Sequence, residues 1–492
     1  MTADVRIERE APAPLRDGTV LRAEVWRPDD DRPRPVVLVR TPYTKEGAAP
    51  LPVTDTRLAT ARGYAVVVQD VRGRGTSEGV FEPFVNEEAD GADTVAWVAE
   101  QPWCDGRVVM AGMSYVGAMQ WLAAAAGPPA LRAIAPMLSS DEFGEGWSLR
   151  AGVHEHGFLG TWSAADLAAQ ADRWGDAPER AYDDLEGLAR IAPWTAQWLA
   201  EAADSAYWRA RSVAHRRDAV TVPVLFVGGW YDIFLAATLR GFARSTHPDD
   251  RLIVGPWGHD GTLSNLVGAR NVGVAGAGGD VLFGAVLDFF DAVLDGRPPP
   301  LPRVRAYLLG GRRWLELDAW PPPRTGTLSL PLEPGTVAVR AADPVPSLGG
   351  RGLLVQVPGF GFGVRDQRPL LDRPDVLVAA RAARPEPLTL AGPVRASLTV
   401  GADAPGPQDW AVTLCLEQPD GALDNLCEGI ARAEPGARRV TVELGDVCVE
   451  LPPGAELVAL VAGSSFPRWP RPAADGRRRL EPGSALDLTV AA

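Results

Sequence analysis

One stretch constrains this chain more than any other: RVVMAGMSYVGAMQWLAAAA, residues 107–126. A short apolar run of strand type reaches Gly112, passes through Ser114 and continues directly into an alanine-rich run of helical length. A strand that turns straight into a helix holds the apex residue in a tight bend, with its side chain projecting at the edge of a sheet. The usual spacing for such a bend is G-x-S-x-G. Here Val116 fills the second glycine position and Gly117 comes one residue later. On spacing alone Ser114 is either an exposed nucleophile or the N-cap of a buried helix.

The flanking sequence repeats the same rhythm. LRAEVWRP, PVVLVRTPY and YAVVVQDVRGRG read as strands, and the last two are the near-continuous apolar runs of strands covered on both faces. A helical pattern in EADGADTVAWVAEQP precedes the opening stretch, and LRAIAPMLSS follows it as a further strand. Such alternation predicts a mainly parallel α/β sheet. Residues 141–215 lack convincing strands and carry helical patterns such as SAADLAAQADRW, so they read as a helical insertion. The sheet pattern resumes with VPVLFVGGWYD, FLAATLRGFARS, RLIVGPWGHD and DVLFGAVLDFFDAVLDG. Beyond GRPPPLPRV, short alternating runs separated by Pro, Gly and Asp predict an all-β sandwich over 301–492.

A serine hydroxyl is a poor nucleophile near neutral pH, so Ser114 needs a base and a group that orients that base. The chain has five histidines. His154 and His156 fall in the insertion, and His215 and His247 in charged, turn-like surroundings; His259 follows the C-terminal end of the strand RLIVGPW. Asp232, at the end of VLFVGGWYD, meets the same condition. A doubly wound sheet gathers its site at that edge. The order Ser114, Asp232, His259 is the nucleophile, acid, base order of α/β-hydrolases rather than the order of the chymotrypsin or subtilisin folds. Singly, each has a structural reading as cap, turn residue or satisfied histidine. Three at successive strand ends in that order favour catalysis.

Several motifs carry a resemblance. RTPYTKE, QDVRGRGTSEG, QPWCDGRVVMAGMSYVG, GGWYDIF and GPWGHDG, and later DQRPLLDRPDVLV, DGALDNLCEGIARA and SSFPRWPR, resemble successive motifs of the X-prolyl dipeptidyl-peptidase-like serine hydrolases, the CocE/NonD hydrolases. The resemblance spans nearly the whole chain. It implies an α/β-hydrolase domain over 1–140 and 216–300, a helical cap insertion over 141–215, and a C-terminal all-β jelly-roll (galactose-binding-like) domain over 301–492. That family's elbow is G-x-S-Y-x-G, which makes Gly117 regular. The resemblance also implies an oxyanion hole from the Tyr43 hydroxyl and the backbone N–H of Tyr115, and makes VRGRGTSEG a structural loop pinned by Asp70 and Arg72. That loop lacks the lysine signature of a phosphate-binding one.

Members of the family that hydrolyse α-amino-acid esters carry acidic residues two and three positions past the triad aspartate, where they bind the substrate ammonium. Phe234 and Leu235 stand there in this chain. This departure implies a pocket for an apolar or aromatic acyl group, with Trp147 and Trp162 either lining it or packing the insertion onto the sheet. Asp141, Glu142 and Glu145 keep an amine-anchoring site open. The expected function is a serine carboxylesterase acting through an acyl-enzyme. The alternatives are X-prolyl dipeptidyl-peptidase or amide/β-lactam acylase activity, or a carbohydrate-binding module with an inactive hydrolase domain.

A small-molecule ester is the expected partner. The net charge of −14 argues against nucleic acid. With no apolar leader in MTADVRIEREAPAPLRDG and no run of about 18 apolar residues, the expectation is a cytoplasmic protein with no membrane partner. No cofactor and no metal site is expected, and a homodimer is left open. Cys104, Cys415, Cys427 and Cys448 lack metal-type spacing and are expected to be reduced, with a disulfide among the last three as the alternative.

Overall fold

The computed structural model describes residues 5–48, 55–163, 185–190, 192–259, 264–352, 361–401 and 406–491. A ten-stranded sheet forms the first part of the chain. Its strands are β1 (Val5–Pro14), β2 (Val20–Pro28), β3 (Arg34–Thr41), β4 (Ala65–Asp70), β5 (Cys104–Met113), β6 (Leu131–Met137), β7 (Leu225–Tyr231), β8 (Arg251–Gly258), β9 (Val304–Leu308) and β10 (Arg313–Leu317). They lie in the order β1-β2-β4-β3-β5-β6-β7-β8-β9-β10. From β4 through β9 all pairings are parallel, and β1, β2 and β10 are antiparallel. The apolar runs explain the burial: every residue of β4 and of β7 is buried, as strands covered on both faces require. The covering helices include α1 (Glu87–Ala99), α2 (Tyr115–Ala125), α3 (Leu235–Ala243) and α4 (Gly279–Leu294).

Two features add to the expected organisation. β9 and β10 pair with the sheet, although they lie beyond the expected border at residue 301. The run GRPPPLPRV marks a loop and not a change of sheet, and the buried residues of VRAYL close the parallel edge. The insertion also contains a hairpin, Leu149–Arg150 against Val153–His154. Ala151 and Gly152 turn it with φ of 47° and 77°, the pair of positive φ values that joins two short antiparallel strands. The other described elements of the insertion are short helices, His156–Thr161, Leu185–Leu188, Trp194–Ala200 and Ala206–Arg211. The expected helix SAADLAAQADRW lies outside the described residues beyond Ser163.

The C-terminal part is all-β. Strands Thr325–Leu332, Ser484–Ala491, Leu388–Thr399 and Arg439–Leu451 form one antiparallel sheet, and Val376–Arg384, Ala455–Ala462, Gln408–Glu417 and Leu423–Ala433 form the other. Leu390, Val442 and Leu486 from the first meet Val412, Leu457 and Val461 from the second in one core. All four cysteines are buried and unpaired. Among the described residues, no helix is long and apolar enough to cross a membrane.

Buried charge joins the parts. Arg150 in the insertion donates to Glu155 Oε1 at 2.6 Å and to the carbonyl of Ile233 at 3.0 Å, just past β7. Arg468 in the β domain donates to the same Glu155 carboxylate at 3.2 Å and also to Glu428. Burial pushes the Glu155 carboxyl up, but Arg468 and Arg150 more than offset this and hold it below the usual carboxylate range. Removing one member of such a chain leaves uncompensated charge in the interior. Glu155→Ala should therefore lower stability to guanidinium unfolding by about 3–5 kcal/mol. Glu443→Ala, at the exposed Arg395–Glu443 pair, should cost less than about 1 kcal/mol.

Candidate active site

Ser114 sits between β5 and α2 at φ 60° and ψ −129°, a conformation that costs a non-glycine residue about 1–3 kcal/mol. The surroundings hold it there. Its N–H donates to the Met137 carbonyl at 2.9 Å, and its carbonyl accepts from the Ser139 hydroxyl at 2.7 Å. The two glycines have separate reasons. A Cβ on Gly112, whose φ is +140°, would lie 2.2 Å from Val116 Cγ1, and one on Gly117 would lie 2.6 Å from Ser139 Cβ. Val116, at the position glycine usually fills, thus takes up the space that Gly112 leaves, and Gly117 admits the strand neighbour.

Asp232 and His259 meet at the same edge, one residue beyond β7 and β8. Asp232 Oδ2 lies 2.6 Å from His259 Nδ1, and its Oδ1 accepts from the Phe234 N–H at 2.8 Å. The carboxylate is fully buried and His259 is 8% exposed. An ionised acceptor at that distance makes Nδ1 the protonated nitrogen and leaves the Nε2 lone pair as a base. Ser114 and His259 share no hydrogen bond in this structure, so the structure joins two of the three expected residues and brings the third to the same sheet edge.

Aromatic rings surround this edge. Phe234 stacks on Trp147 with centroids 4.4 Å apart and meets the His259 ring edge-on at 5.4 Å. Trp162 packs against Trp147 at 5.3 Å and stacks on Phe158 and Trp198. Phe84 and Phe143, stacked at 3.9 Å, close the cluster beside Tyr115. Leu235 belongs to the same hydrophobic core. Its Cδ1 would lie 3.5 Å from a Cβ on Gly228, so this side chain packs toward β7. Helical geometry separates it from Phe234, because successive residues at the start of α3 point in different directions.

The two tyrosines are held differently. Trp162 Nε1 donates to the Tyr43 hydroxyl at 3.0 Å, which makes that oxygen an acceptor toward Trp162 and turns its own O–H elsewhere. Tyr115 is fully buried; its hydroxyl donates to Glu87 Oε1 at 2.6 Å and accepts from the Phe84 N–H at 2.9 Å. Burial and the adjacent Glu87 carboxylate push the Tyr115 phenol well up. As the first residue of α2, Tyr115 has a backbone N–H with no carbonyl to bond within the helix. Asp70 takes the N–H and Nζ of Lys45 at 2.7 and 2.9 Å, and Arg72 grips Asp90 with two nitrogens. The loop VRGRGTSEG is pinned as expected.

The acidic residues of the insertion face other partners. Asp141 lies 3.8 Å from Arg217, and burial pushes its carboxyl up. Glu142 lies 3.6 Å from Arg240, and Glu145 accepts from the Ala151 N–H. Sequence reading missed Glu87, Phe84, Phe158 and Trp198. Glu87 opens an acidic first helical turn with Glu88 and Asp90, which reads like any solvated helix start, and the aromatics carry no local signal. Among the described residues, no group of three or more His, Cys, Asp or Glu could hold a metal ion.

Comparison with known proteins extends these observations. The model of X-Pro dipeptidyl-peptidase (S15 family) matches residues 17–261, and that of the X-Pro dipeptidyl-peptidase C-terminal non-catalytic domain matches residues 299–490. Cocaine esterase of Rhodococcus sp. is 35% identical, over 93% of this chain and 91% of its own length. A putative serine esterase of Mycobacterium bovis is 28% identical over 55% of this chain and 51% of its own. Among solved structures, an aminopeptidase of a marine sediment Thaumarchaeota archaeon has a TM-score of 0.85 at 22% identity, covering 100% of this chain and 97% of that one. An α-amino acid ester hydrolase has a TM-score of 0.83 at 22% identity, covering 99% and 97%. The last two are likenesses of fold. With both family models matched in order and a relative 35% identical along nearly its whole length, the chain belongs to the X-Pro dipeptidyl-peptidase (S15) family of hydrolases.

Proposed function

We propose that this protein is a serine hydrolase that cleaves carboxylic esters of apolar or aromatic acyl groups. The observation that carries the reading is the ring cluster joined to the base: Phe234 touches His259 edge-on and stacks on Trp147. The 35% identical relative, whose name is cocaine esterase, supports the same substrate class. His259 Nε2 takes the proton of the Ser114 hydroxyl as its oxygen attacks the acyl carbon, and Asp232 stabilises the resulting imidazolium. The Tyr43 O–H and the Tyr115 N–H donate to the oxyanion that develops. Collapse expels the alcohol, which takes its proton from His259. Water, activated by the same nitrogen, then releases the acid and frees Ser114. Apo hydrogen bonds at such sites are commonly long and tighten with substrate, which accommodates the unjoined Ser114 and His259.

The Ser114 assignment is tested with a fluorophosphonate probe and peptide mass spectrometry. The label should fall on the peptide containing Ser114 and vanish in Ser114→Ala; undiminished labelling of that variant moves the nucleophile elsewhere.

Removing one oxyanion donor lowers kcat by about 100- to 1000-fold in comparable sites. Tyr43→Phe should show that loss with little change in KM. An unchanged kcat in a folded variant leaves Tyr43 a structural role.

An ammonium entering the cluster would lose hydration worth several kcal/mol and gain about 0.5–2 kcal/mol from a ring face. Desolvation wins. Phenylacetyl esters should therefore have a higher kcat/KM than phenylglycyl esters with the same leaving group, and X-prolyl dipeptide amides should be poor substrates. The opposite order would mean that a carboxylate reaches the acyl site.

A further inference from the structure

A cavity of about 470 Å³ lies where the catalytic sheet meets the β domain, and neither Ser114, Asp232 nor His259 lines it. Val272, Tyr307 and Leu309 form one wall, and Leu416, Leu426 and Leu451 the other. The volume falls in the range of small-molecule sites. It is far larger than one water requires. Most of the charge in its walls is already matched. Arg270 grips Asp424 through two nitrogens at 2.6 and 3.0 Å, and Glu450 accepts from Arg313 at 2.7 Å.

Arg312 is the exception. It lines the same cavity, is exposed to solvent, and makes no hydrogen bond or ion pair with any described residue. It ends the turn between β9 and β10 at φ 50°, directly after Gly310 and Gly311. Glycine takes that conformation without strain, so the turn itself gives no reason for a long side chain there. A strained residue that the turn does not require is a pointer to use.

We propose that this cavity binds an amphipathic monocarboxylate, a medium-chain fatty acid or an arylalkanoic acid, with its tail among the leucines and its carboxylate on Arg312. The charge pattern selects the class. A dianion would need a second unmatched cation, an amine would find both wall carboxylates already engaged, and a neutral lipid would leave Arg312 unused. The bound acid would touch both domains and also Tyr231, the residue before Asp232.

The test uses the full chain and a dodecanoic acid carrying a photoreactive diazirine in its tail, with the labelled peptides identified by mass spectrometry. Saturable label is expected on peptides spanning 270–272, 307–312 or 416–426, competed by unmodified dodecanoate. It should fall roughly tenfold in Arg312→Ala, the loss expected for one charge-assisted contact, and persist in Arg312→Lys. Label confined to peptides around Ser114 and Trp147, no saturable label, or undiminished label in Arg312→Ala would each overturn the proposal. Photolabelling needs no turnover, so failure of the Ser114 assignment leaves this readout intact and is distinguished from it.

Discussion

Four charges, the half-buried Arg150 and Glu428 and the buried Glu155 and Arg468, run in alternating sign from the insertion into the β domain. This network of two arginines and two glutamates is neutral as a whole, which is the condition under which buried ions are tolerated. Its ends are tied to backbone. Arg150 donates to the Ile233 carbonyl, and Glu428 accepts from the N–H of Arg351, whose Nε donates to the carbonyl of Trp230 at 2.9 Å. The two carbonyls bracket Tyr231 and Asp232. The aspartate hydrogen-bonded to His259 is thus held from the insertion on one side and from the β domain on the other, and Phe362 of the all-β part packs closely against Gly258, the residue before His259.

The elbow is held by a different device. A serine at φ 60° stores strain, and two close packings prevent its release: Val116 against Gly112, and Gly117 against Ser139. Neither glycine has room for a methyl group. The Tyr115 side chain adds a third restraint, because its hydroxyl is bound to Glu87 and to the Phe84 N–H on a separate segment. A rotation of the first turn of α2 would break both hydrogen bonds in a buried site, where an unmet polar group costs about 1–3 kcal/mol. The direction of the Tyr115 N–H is therefore fixed from its own side chain.

The apolar runs of β3 and β4 announced a sheet covered on both faces, and the strand ends placed Ser114, Asp232 and His259 on one edge before any coordinates. That part of the site was legible because each residue follows a strand with an unambiguous period. The hairpin at Leu149–His154 was not, since two-residue strands leave no alternation to detect and Ala-Gly is a weak turn signal. Nor was the border after β10, because a proline-rich loop looks alike whether the next strand joins the old sheet or starts a new one. The network of Glu155 and Arg468 joins residues 313 positions apart. Only folding brings such partners together, and one sequence carries no trace of the pairing.

The aromatic cluster shows why a residue can serve packing and specificity at once. Phe234 is fully buried, so removing its ring would open a cavity beneath Trp147 and costs about 3–5 kcal/mol by the usual core measure. The same ring lies against His259, and its own N–H holds Asp232. Replacing it by a carboxylate would put an unpaired charge among the rings and beside Asp232, where two acids would compete for one imidazole. An amine-anchoring site at this position would therefore require a reorganised cluster around it, with the ring stack opened and a cation supplied by the substrate. The packing of Phe234 between Trp147 and His259 thus opposes a charged side chain at this position.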